Sequence, residues 1–438
     1  FCNMNLCRRF MNKVSFLTLG CKVNQYETEA MQELFKKRGY EICNENDICD
    51  VYVINTCTVT NTGDSKSRQM IRKAIRKNPK ATICVVGCYS QTAPEEIEKI
   101  EGVGVVLGTQ YRSDIVKYVD EHLETGEMVI KVDNVMNLRK FEDLNIDRFK
   151  NTRAFLKIQD GCNNFCTYCI IPYARGRVRS RQKESVLNQA QRLVDNGYVE
   201  IVLTGIHTAG YGEDLDDYSF YELLVDLVKI KGLKRLRISS IETSQISDEI
   251  IDLIGSNEII VDHLHVPLQA GSDATLKRMN RKYTTAEYLE KINKIRSYLP
   301  NIAFTTDVIV GFPGETDEEF EETYNFIKQV NYSELHVFPY SPRKNTPAAK
   351  MKDQVNDQIK HERANRLLQL SKELNHEFAL KQIGKTLKVL FEKRDGEYLI
   401  GHAGDYLKVK VKTADNLIGE IVTIKIDKYD EILEGRVV

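Results

Sequence analysis

Three cysteines stand close together near the middle of the sequence, in a stretch suited to metal chemistry. They lie in Gly161-Cys162-Asn163-Asn164-Phe165-Cys166-Thr167-Tyr168-Cys169, with the spacing C-x3-C-x2-C, directly after an apolar run at residues 155–158. Three thiolates on one loop can hold three irons of a [4Fe-4S] cluster and leave the fourth iron open for a bound reagent. A structural zinc site usually closes with four ligands, and this loop has no nearby fourth Cys or His. The spacing favours the cluster over structural zinc or chance cysteines.

Three further cysteines, Cys21, Cys57 and Cys88, each come just after an apolar run typical of a β-strand. These runs and the helical patterns between them are residues 14–19, 26–38, 50–55, 65–78 and 81–86. Strands alternating with helices predict a parallel sheet with helices on both faces. The carboxyl ends of parallel strands open onto one edge, where ligands bind. The pattern therefore predicts a second three-cysteine cluster site, against the alternative that each Cys is an ordinary buried small residue.

The other cysteines carry no such pattern. Cys84 lies inside its own apolar run and is expected in the core, whereas Cys43 and Cys49 are expected to be structural. Eleven cysteines, an odd number, in a chain without a secretion signal indicate a reducing cytoplasm. There cysteines serve as metal ligands more often than they form disulfides.

The ends and the composition of the chain argue against export and membrane insertion. Residues 1–10 lack the apolar core of a signal peptide, Met11 is the expected start, and Cys2 and Cys7 before it are uninformative. No run of about 18 apolar residues predicts a membrane span. The 438 residues, 42% of them hydrophobic, suffice for two to four domains. The net charge of -1 gives no overall argument for a nucleic-acid partner, so only local patches could support one.

A basic helix and a glycine-rich run complete the first region. The helix after Cys57 carries Lys66, Arg68, Arg72, Lys73, Arg76, Lys77 and Lys80. A solvated helix face and a contact with a nucleic-acid backbone explain these charges equally well. The run at residues 102–108 has the wrong spacing for a G-x-G-x-x-G nucleotide loop and is predicted to be a fourth strand.

Strand-like runs alternate with helices through the middle of the chain. They are residues 155–158, 200–204, 235–239, 263–268, 303–310 and 334–338. Six such units predict a partial parallel barrel, whose active site lies at the carboxyl ends of its strands. The cysteine loop follows the first strand, and the other strand ends are expected to bind its reagent through Gly205, Glu242, Gln269, Gly311 and Gly314. Glycines allow close backbone approach to a ligand, although turn formation is an equal alternative for each of them.

Two further groups of polar residues accompany this barrel. Arg175, Arg177, Arg179 and Arg181 alternate strictly, so an extended segment would point all four the same way, toward an anionic ligand or along a solvated edge. His265 and Gln269 lie two residues either side of Pro267 and are expected to contact substrate or cofactor, a buried His being the alternative.

The tail begins with a long polar helix at residues 355–382. Short alternating runs follow at residues 387–391, 398–400, 407–411, 420–426 and 432–437. They predict a small antiparallel β-barrel, a module that often binds RNA. Lys408, Lys410 and Lys412 alternate on one face and are expected to carry that binding, unless the barrel only stabilises the chain.

Several stretches resemble the radical S-adenosylmethionine (SAM) methylthiotransferases. They are Leu19-Gly20-Cys21-Lys22-Val23-Asn24-Gln25, Ile54-Asn55-Thr56-Cys57-Thr58-Val59, Val86-Gly87-Cys88, the cysteine loop, Ile171-Pro172-Tyr173-Ala174-Arg175-Gly176-Arg177 and Val310-Gly311-Phe312-Pro313-Gly314-Glu315-Thr316. The resemblance covers nearly the whole chain from Met11. It implies an α/β fold in three parts: an N-terminal methylthiotransferase domain at 11–146, a partial (β/α)6 radical SAM barrel at 147–376 and a C-terminal TRAM domain at 377–438.

The family has three branches, which differ in substrate. One modifies isopentenyladenosine in tRNA, one modifies N6-threonylcarbamoyladenosine in tRNA, and one modifies an aspartate of a ribosomal protein. Gly20-Cys21-Lys22-Val23-Asn24-Gln25 and Thr204-Gly205-Ile206-His207 are most similar to the threonylcarbamoyladenosine branch. The resemblance therefore implies transfer of a methylthio group to C2 of that nucleoside at position 37, in the anticodon stem-loop.

The resemblance also implies cofactors and a mechanism. Cys162, Cys166 and Cys169 would hold a [4Fe-4S] cluster that binds SAM, with Tyr168 beside the SAM adenine. A 5′-deoxyadenosyl radical from SAM would remove the C2 hydrogen, and a second SAM would supply the methyl group. Cys21, Cys57 and Cys88 would hold the second [4Fe-4S] cluster, which supplies sulfur.

The resemblance also implies an electron donor and contacts with RNA. The electron donor is expected to be a flavodoxin or a ferredoxin. RNA contacts are expected from Arg68, Arg72, Arg175, Arg177, Arg179, Lys408 and Lys410. The alternatives are the other two branches of the family and, in another class, a non-catalytic iron–sulfur protein that binds RNA as a redox sensor.

Overall fold

The computed structural model describes residues 12–438, so Cys2, Cys7 and the expected start at Met11 lie outside the described residues. The described chain divides into two compact units. The first comprises residues 12–146 and 170–177, and the second comprises 147–169 and 178–438. The cysteine loop therefore belongs to the second unit, while the segment directly after it belongs to the first.

The first unit alternates strands with helices. Its strands are β1 (Lys13–Thr18), β2 (Glu41–Cys43), β3 (Val51–Thr56), β4 (Thr82–Gly87), β5 (Val103–Leu107) and β6 (Val129–Lys131). Its helices are α1 (Lys22–Arg38), α2 (Asn61–Lys77), α3 (Cys88–Thr92), α4 (Pro94–Glu98), α5 (Ile115–Thr125) and α6 (Ile171–Arg175). All strand pairs are parallel, in the order β2-β1-β3-β4-β5-β6.

Both faces of this sheet are buried, as the sequence pattern predicts. Alternate residues of a strand point to opposite faces, and β3 serves both cores. Val51 and Val53 pack in the cluster that contains Phe35 and Ile115. Tyr52 and Ile54 pack on the other side with residues of α2 and α4. The run at residues 102–108 contains β5, which confirms a strand there.

The second unit contains a partial parallel barrel. The strands of this region are β7 (Ala154–Lys157), β8 (Gln159–Asp160), β9 (Arg179–Ser180), β10 (Glu200–Thr204), β11 (Arg235–Ile238), β12 (His263–His265), β13 (Ala303–Val310) and β14 (Glu334–Pro339). Of these, β8 and β9 form a separate antiparallel pair, and the other six are the parallel strands of the barrel. Its helices are α7 (Lys183–Asp195), α8 (Phe220–Leu227), α9 (Asp248–Ser256), α10 (Asp273–Arg278), α11 (Thr285–Tyr298), α12 (Asp317–Val330) and α13 (Asp357–Leu380). Two three-stranded parallel sheets, β11-β10-β7 and β12-β13-β14, are joined by a parallel bridge between Leu236 and Ile260.

A closed five-stranded barrel follows α13. Its strands are β15 (Thr386–Asp395), β16 (Tyr398–Ala403), β17 (Lys408–Lys412), β18 (Ile421–Asp430) and β19 (Ile432–Val437). The pairings are antiparallel except that of β17 with β19, which is parallel. Val409 and Val411 point into the barrel core, so the intervening lysines of β17 lie on the outside, as predicted.

Two arginines of β11 attach this barrel to the rest of the second unit. Arg235 donates to the Lys388 carbonyl at 2.7 Å, and Arg237 donates to the Gly404 carbonyl at 2.8 Å. Both guanidinium groups pair with the buried carboxylate of Glu200, at 3.0 and 3.1 Å. The Arg237 guanidinium also lies 3.7 Å from the ring centre of Tyr406. Among residues 12–438, no helix is sufficiently long and apolar to cross a membrane.

Candidate functional site

The C-x3-C-x2-C loop is fixed in place by the end of α10 and the residues that follow it. The backbone N–H of Thr167 donates to the Met279 carbonyl at 3.0 Å, and the Thr167 hydroxyl donates to the Arg278 carbonyl at 2.8 Å. Asn280 Nδ2 donates to the Phe165 carbonyl at 3.1 Å. The loop turns sharply at Phe165, which has a positive φ of 46°. Its conformation therefore rests on hydrogen bonds of the chain itself.

Two nitrogen donors point at sulfur atoms of this loop. The backbone N–H of Asn164 lies 3.5 Å from Cys162 Sγ, and Arg281 Nη1 lies 3.2 Å from Cys166 Sγ. Burial raises the pKa of the Cys162 thiol to about 12, so in the absence of metal the thiol holds its proton. Metal binding displaces that proton, and N–H donors to sulfur are characteristic of iron–sulfur ligation. The loop therefore fits a cluster.

Glu242 orients both donors. Its Oε1 accepts from Arg281 Nη2 at 2.9 Å and from Asn164 Nδ2 at 2.9 Å. The Arg281 guanidinium is nearly buried and also lies over the ring of Tyr283, 5.0 Å from its centre. A planar guanidinium can bind a carboxylate and a sulfur at once, which a lysine ammonium does not do with the same geometry.

Tyr168 lies within the loop and packs edge-on against Phe312, with ring centres 6.3 Å apart. Burial, with the neighbouring Cys166 sulfur, raises the pKa of the Tyr168 hydroxyl. The ring belongs to an apolar cluster with Met279 and Tyr340. Tyr168 thus lies near the Cys166 thiol, and its contact with SAM stays a prediction.

The other residues predicted to bind the cofactor all lie just past strand ends. Gly205 follows β10, and a Cβ there would lie 3.0 Å from Gln159 Oε1. Gln269 has a positive φ of 68°, and its carbonyl accepts from the Ile309 N–H at 2.8 Å. Gly311 and Gly314 follow β13 with φ values of 69° and 76°. A Cβ on Gly311 would meet the Lys360 side chain, so turn geometry and packing already require glycine there. Contact of these residues with SAM stays a prediction.

The second triad lies at the carboxyl edge of the first unit's sheet. Cys21, Cys57 and Cys88 follow β1, β3 and β4, which are neighbours in the sheet. A Cβ on Gly20 would lie 3.1 Å from the Cys57 Cβ, so the chain between β1 and α1 passes directly against Cys57. Cys88 is buried whereas Cys21 is exposed. Topology thus brings together the sequence-distant thiols predicted to share a cluster.

Arg175 is the polar neighbour of this triad. Its Nε lies 3.3 Å from Cys88 Sγ, and Nη2 donates to Asn24 Oδ1 at 3.0 Å. Nη1 and Nη2 donate to the two carboxylate oxygens of Glu27 at 2.7 and 3.0 Å. Burial raises the pKa of the Cys88 thiol to about 11, and the Arg175 charge opposes that rise. Sulfur with a charged N–H donor fits an iron–sulfur ligand here too.

A second buried arginine completes the network around Glu27. Arg112 pairs with Glu27 through a close contact and with Glu142 at 3.0 Å. Both side chains of the Arg112–Glu27 pair are fully buried. Sequence reasoning missed Glu27 and Arg112 because ion pairs between distant segments leave no local spacing. Of the other cysteines that the structure describes, Cys84 and Cys49 are buried, as expected for core or structural positions, and Cys43 is partly exposed.

The prediction that the alternating arginines lie on one extended segment and point the same way is wrong. Arg175 ends α6, and Gly176 follows with a positive φ of 76°, so the segment is not one extended strand. Arg175, Arg179 and Arg181 are buried, whereas Arg177 is exposed. Arg181 Nε donates to Ser185 Oγ at 3.0 Å. Buried guanidinium groups do not reach a phosphate backbone, so Arg175 and Arg179 leave the set of expected RNA contacts.

The remaining basic residues lie at accessible positions. Arg72 is exposed on α2, and Arg68 is half-buried, with Nη1 donating to the Tyr89 hydroxyl at 2.8 Å. Lys408 is exposed on β17, and Lys410 lies 3.4 Å from Glu434. Contact of these residues with RNA stays a prediction.

Comparison with known proteins adds family matches. The family model described as radical SAM superfamily matches residues 156–327, and the model described as uncharacterized protein family UPF0004 matches residues 13–108. The threonylcarbamoyladenosine tRNA methylthiotransferase MtaB of Bacillus subtilis (strain 168) is 54% identical, over 95% of this chain and 94% of that protein. The protein of the same name from Aquifex aeolicus is 44% identical, over 86% of this chain and 92% of the relative. A tRNA-2-methylthio-N(6)-dimethylallyladenosine synthase of Finegoldia magna is 35% identical, over 97% and 94%.

Solved structures share the fold at low identity. The radical SAM methyltransferase TsrM from Kitasatospora setae, solved with cobalamin and a [4Fe-4S] cluster, has a TM-score of 0.57 at 15% identity, over 77% of each chain. The cobalamin-dependent SAM radical enzyme OxsB has a TM-score of 0.52 at 13% identity, over 84% of this chain and 56% of that one. These likenesses and the strand orders confirm the predicted α/β class. With relatives this similar over nearly its whole length, the chain belongs to the family of radical SAM methylthiotransferases.

Proposed function

We propose that this chain transfers a methylthio group to C2 of N6-threonylcarbamoyladenosine at position 37 of tRNA. Support comes from the names of the relatives that are 54% and 44% identical. The observation that carries the proposal is the occurrence of two separate cysteine triads, each with a buried arginine that donates to one of its sulfur atoms. One triad suits SAM chemistry, and the other leaves a place for sulfur chemistry on the same chain.

Family membership implies one of the two clusters, and the other is part of the proposal. Membership of the radical SAM superfamily implies SAM and a [4Fe-4S] cluster, for which Cys162, Cys166 and Cys169 are the proposed ligands. A second [4Fe-4S] cluster on Cys21, Cys57 and Cys88 belongs to the proposal. When bound, these groups supply the one-electron cleavage of SAM that removes hydrogen from an unactivated C–H bond, and the sulfur that replaces it.

Residues of the chain itself orient the cysteine loop and form the SAM pocket in this proposal. Arg281 donates to Cys166 Sγ, and Glu242 holds Arg281 and Asn164 in position. In the proposal Tyr168 provides an apolar wall for the SAM adenine. Backbone near Gly205, Glu242, Gln269, Gly311 and Gly314 forms the remainder of the SAM pocket at the strand ends. Buried apolar residues, among them Met279 and Phe312, pack against Tyr168.

We propose three domains. Residues 11–146 form the methylthiotransferase domain, 147–376 the radical SAM domain and 377–438 the TRAM domain. The anticodon stem-loop contacts Arg68 and Arg72 of α2, Arg177, and Lys408 and Lys410 of β17. Reaction takes place in the cytoplasm, with electrons from a flavodoxin or a ferredoxin.

The substrate is tested by nucleoside mass spectrometry of tRNA from a strain that lacks this gene. Loss of 2-methylthio-N6-threonylcarbamoyladenosine, restored by the wild-type gene, is the expected result. Complementation by C88A should fail, whereas C84A, four residues earlier in the core of β4, should restore the modification.

Other outcomes identify the rivals. Loss of the 2-methylthio isopentenyl nucleoside points to the second branch, and an unchanged tRNA profile with an unmodified ribosomal-protein aspartate points to the third. Failure of the reduced protein to form 5′-deoxyadenosine from SAM would favour a non-catalytic redox sensor.

A further inference from the structure

Three polar side chains converge on one face of the sheet formed by β12, β13 and β14. In the register of these parallel strands His265 pairs with Thr305, and Asp307 pairs with His336. Residues two apart on a strand share a face, so Thr305 and Asp307 point the same way, and His265 and His336 join them. The residues on the opposite face, Leu264, Thr306 and Leu335, are buried. His265 and Asp307 are partly exposed and His336 is exposed, so the three ionisable groups are accessible from outside the sheet.

The distances between the groups are short. One ligand atom from each of His265, Asp307 and His336 lies within 4.8 Å of the other two. His265 Nε2 is 3.4 Å from Asp307 Oδ2, and the His265 and His336 rings stack with centres 5.6 Å apart. Metal coordination at bond lengths of about 2.0–2.2 Å requires side-chain rotations that bring the three atoms closer together.

Thr305 fixes the orientation of the His265 ring. Its hydroxyl oxygen lies 2.9 Å from His265 Nδ1 and 3.0 Å from His263 Nε2. When Nδ1–H donates to this oxygen, the lone pair of His265 is on Nε2, the atom that faces Asp307. A ring N–H bound to an oxygen acceptor is the usual second contact of a metal-ligating histidine.

We propose that His265, Asp307 and His336 form a binding site for a divalent transition-metal ion, separate from the six cysteines. Two imidazoles and one carboxylate favour borderline ions such as Fe²⁺, Mn²⁺ or Zn²⁺ over Mg²⁺ or Ca²⁺. Three protein ligands leave coordination positions open. The Asp307 side chain is 32% exposed and His336 is exposed, so these positions are accessible to water or to an anionic oxygen of a bound molecule.

The site can be tested with Mn²⁺ as the probe and the anaerobically purified, cluster-loaded protein as the sample. Oxidised [4Fe-4S] clusters are silent in electron paramagnetic resonance, so loss of the free Mn²⁺ signal reports binding. The expected result is saturable binding of one Mn²⁺ per chain. Electron spin echo modulation of the bound ion should show ¹⁴N coupling from imidazole. H336Q and D307N should each weaken Mn²⁺ binding at least about tenfold, since each removes one of three ligands.

The matched control is H361Q. His361 is an exposed histidine on α13, and its ring bonds only locally, to the Asp357 carbonyl. This variant should bind Mn²⁺ like the wild type. Cluster absorption and circular dichroism verify that each variant is folded. Absence of saturable binding, absence of ¹⁴N coupling, or unchanged affinity in H336Q and D307N would each overturn the proposal.

Discussion

Arg175 Nε lies 3.3 Å from Cys88 Sγ, although 87 positions separate the two residues in sequence. The rest of the guanidinium is bound to Glu27 and Asn24, so its orientation toward the sulfur is fixed. A fixed N–H donor to a ligand sulfur stabilises the more negative, reduced state of a cluster. This pair therefore links a buried ion-pair network to the redox properties of the proposed second cluster.

Replacing Arg175 with Lys should lower the midpoint potential of that cluster while its iron remains bound. Lysine keeps the charge beside Glu27, but it lacks the planar fork that reaches both Glu27 and Cys88. A redox titration followed by electron paramagnetic resonance measures the shift. R177K, two residues further on at an exposed position, should leave the potential unchanged. An unaltered potential in R175K would show that the contact has no electronic effect.

Neutralising Glu27 should destabilise the first unit. E27Q leaves Arg112 and Arg175 buried without their shared carboxylate, and breaking a buried pair costs about 3–5 kcal/mol. Urea dependence of hydrogen exchange at β3 amides measures the loss. The matched change D120N breaks the surface pair with Arg38, whose side chain is 61% exposed, and should cost under about 1 kcal/mol. Equal effects of the two variants would contradict the structural role of the network.

Iron content should separate ligand cysteines from core cysteines. Wild-type protein with two clusters holds about eight irons, and C88A or C162A should hold about four. C84A removes a thiol from the core of β4 and should keep about eight. Anaerobic reconstitution followed by iron and sulfide analysis gives these counts. About four irons in the wild type would remove the second cluster from the proposal.

Charge reversal on β17 should weaken tRNA binding in a salt-dependent way. K408E/K410E removes two cations from the outside of the C-terminal barrel. The slope of log K against log salt should fall by about 0.7–0.9 for each phosphate that the variant no longer neutralises. Binding is measured by fluorescence anisotropy over a range of salt concentrations. K231E, an exposed lysine in the loop after α8, is the control with a change of charge in the same direction. Equal slopes for K408E/K410E and the wild type would exclude this face of β17 from the interface.

Alkylation of Cys43 should depend steeply on pH. Burial, with the Glu41 carboxylate, raises the pKa of the Cys43 thiol, so at pH 8 less thiolate is present than at an ordinary cysteine. Below the pKa, the rate of reaction with iodoacetamide should rise about tenfold per pH unit. Burial raises the pKa of Cys49 to about 12, and that thiol should stay unmodified through the same range.

The variant E41Q isolates the charge effect at Cys43. It removes a negative charge, lowers the pKa of the thiol and should accelerate alkylation at pH 8. E45Q, a nearby change of the same kind, should have little effect. Peptide mass spectrometry after timed exposure gives the rates, and equal rates for E41Q and the wild type would exclude Glu41 as a cause.

Local patterns predicted the elements of this fold well. The strand bounds at 200–204, 303–310 and 432–437 agree with β10, β13 and β19, because apolar alternation and flanking turn residues act within a few positions. Parallel topology then implied that Cys21, Cys57 and Cys88 share one edge.

Long-range polar pairing was not predictable in the same way. Glu27 and Arg175 are 148 positions apart, and neither stands in a local motif that names its partner. The alternating arginines were wrongly predicted to lie on one extended segment, because spacing alone does not reveal that Gly176 turns the chain. His336 was likewise missed: its proximity to Asp307 depends on the register of two parallel strands.

The division of the chain has a consequence for biosynthesis. Residues 170–177 complete the first unit, yet they are made after residues 147–169 of the second. On the ribosome, Arg175 therefore emerges only after Glu27 and Cys88 have been made, and the hydrogen bonds among the three side chains form after that point. A fragment that stops at residue 146 would lack Arg175. The two units of this protein are therefore better studied in one polypeptide than apart.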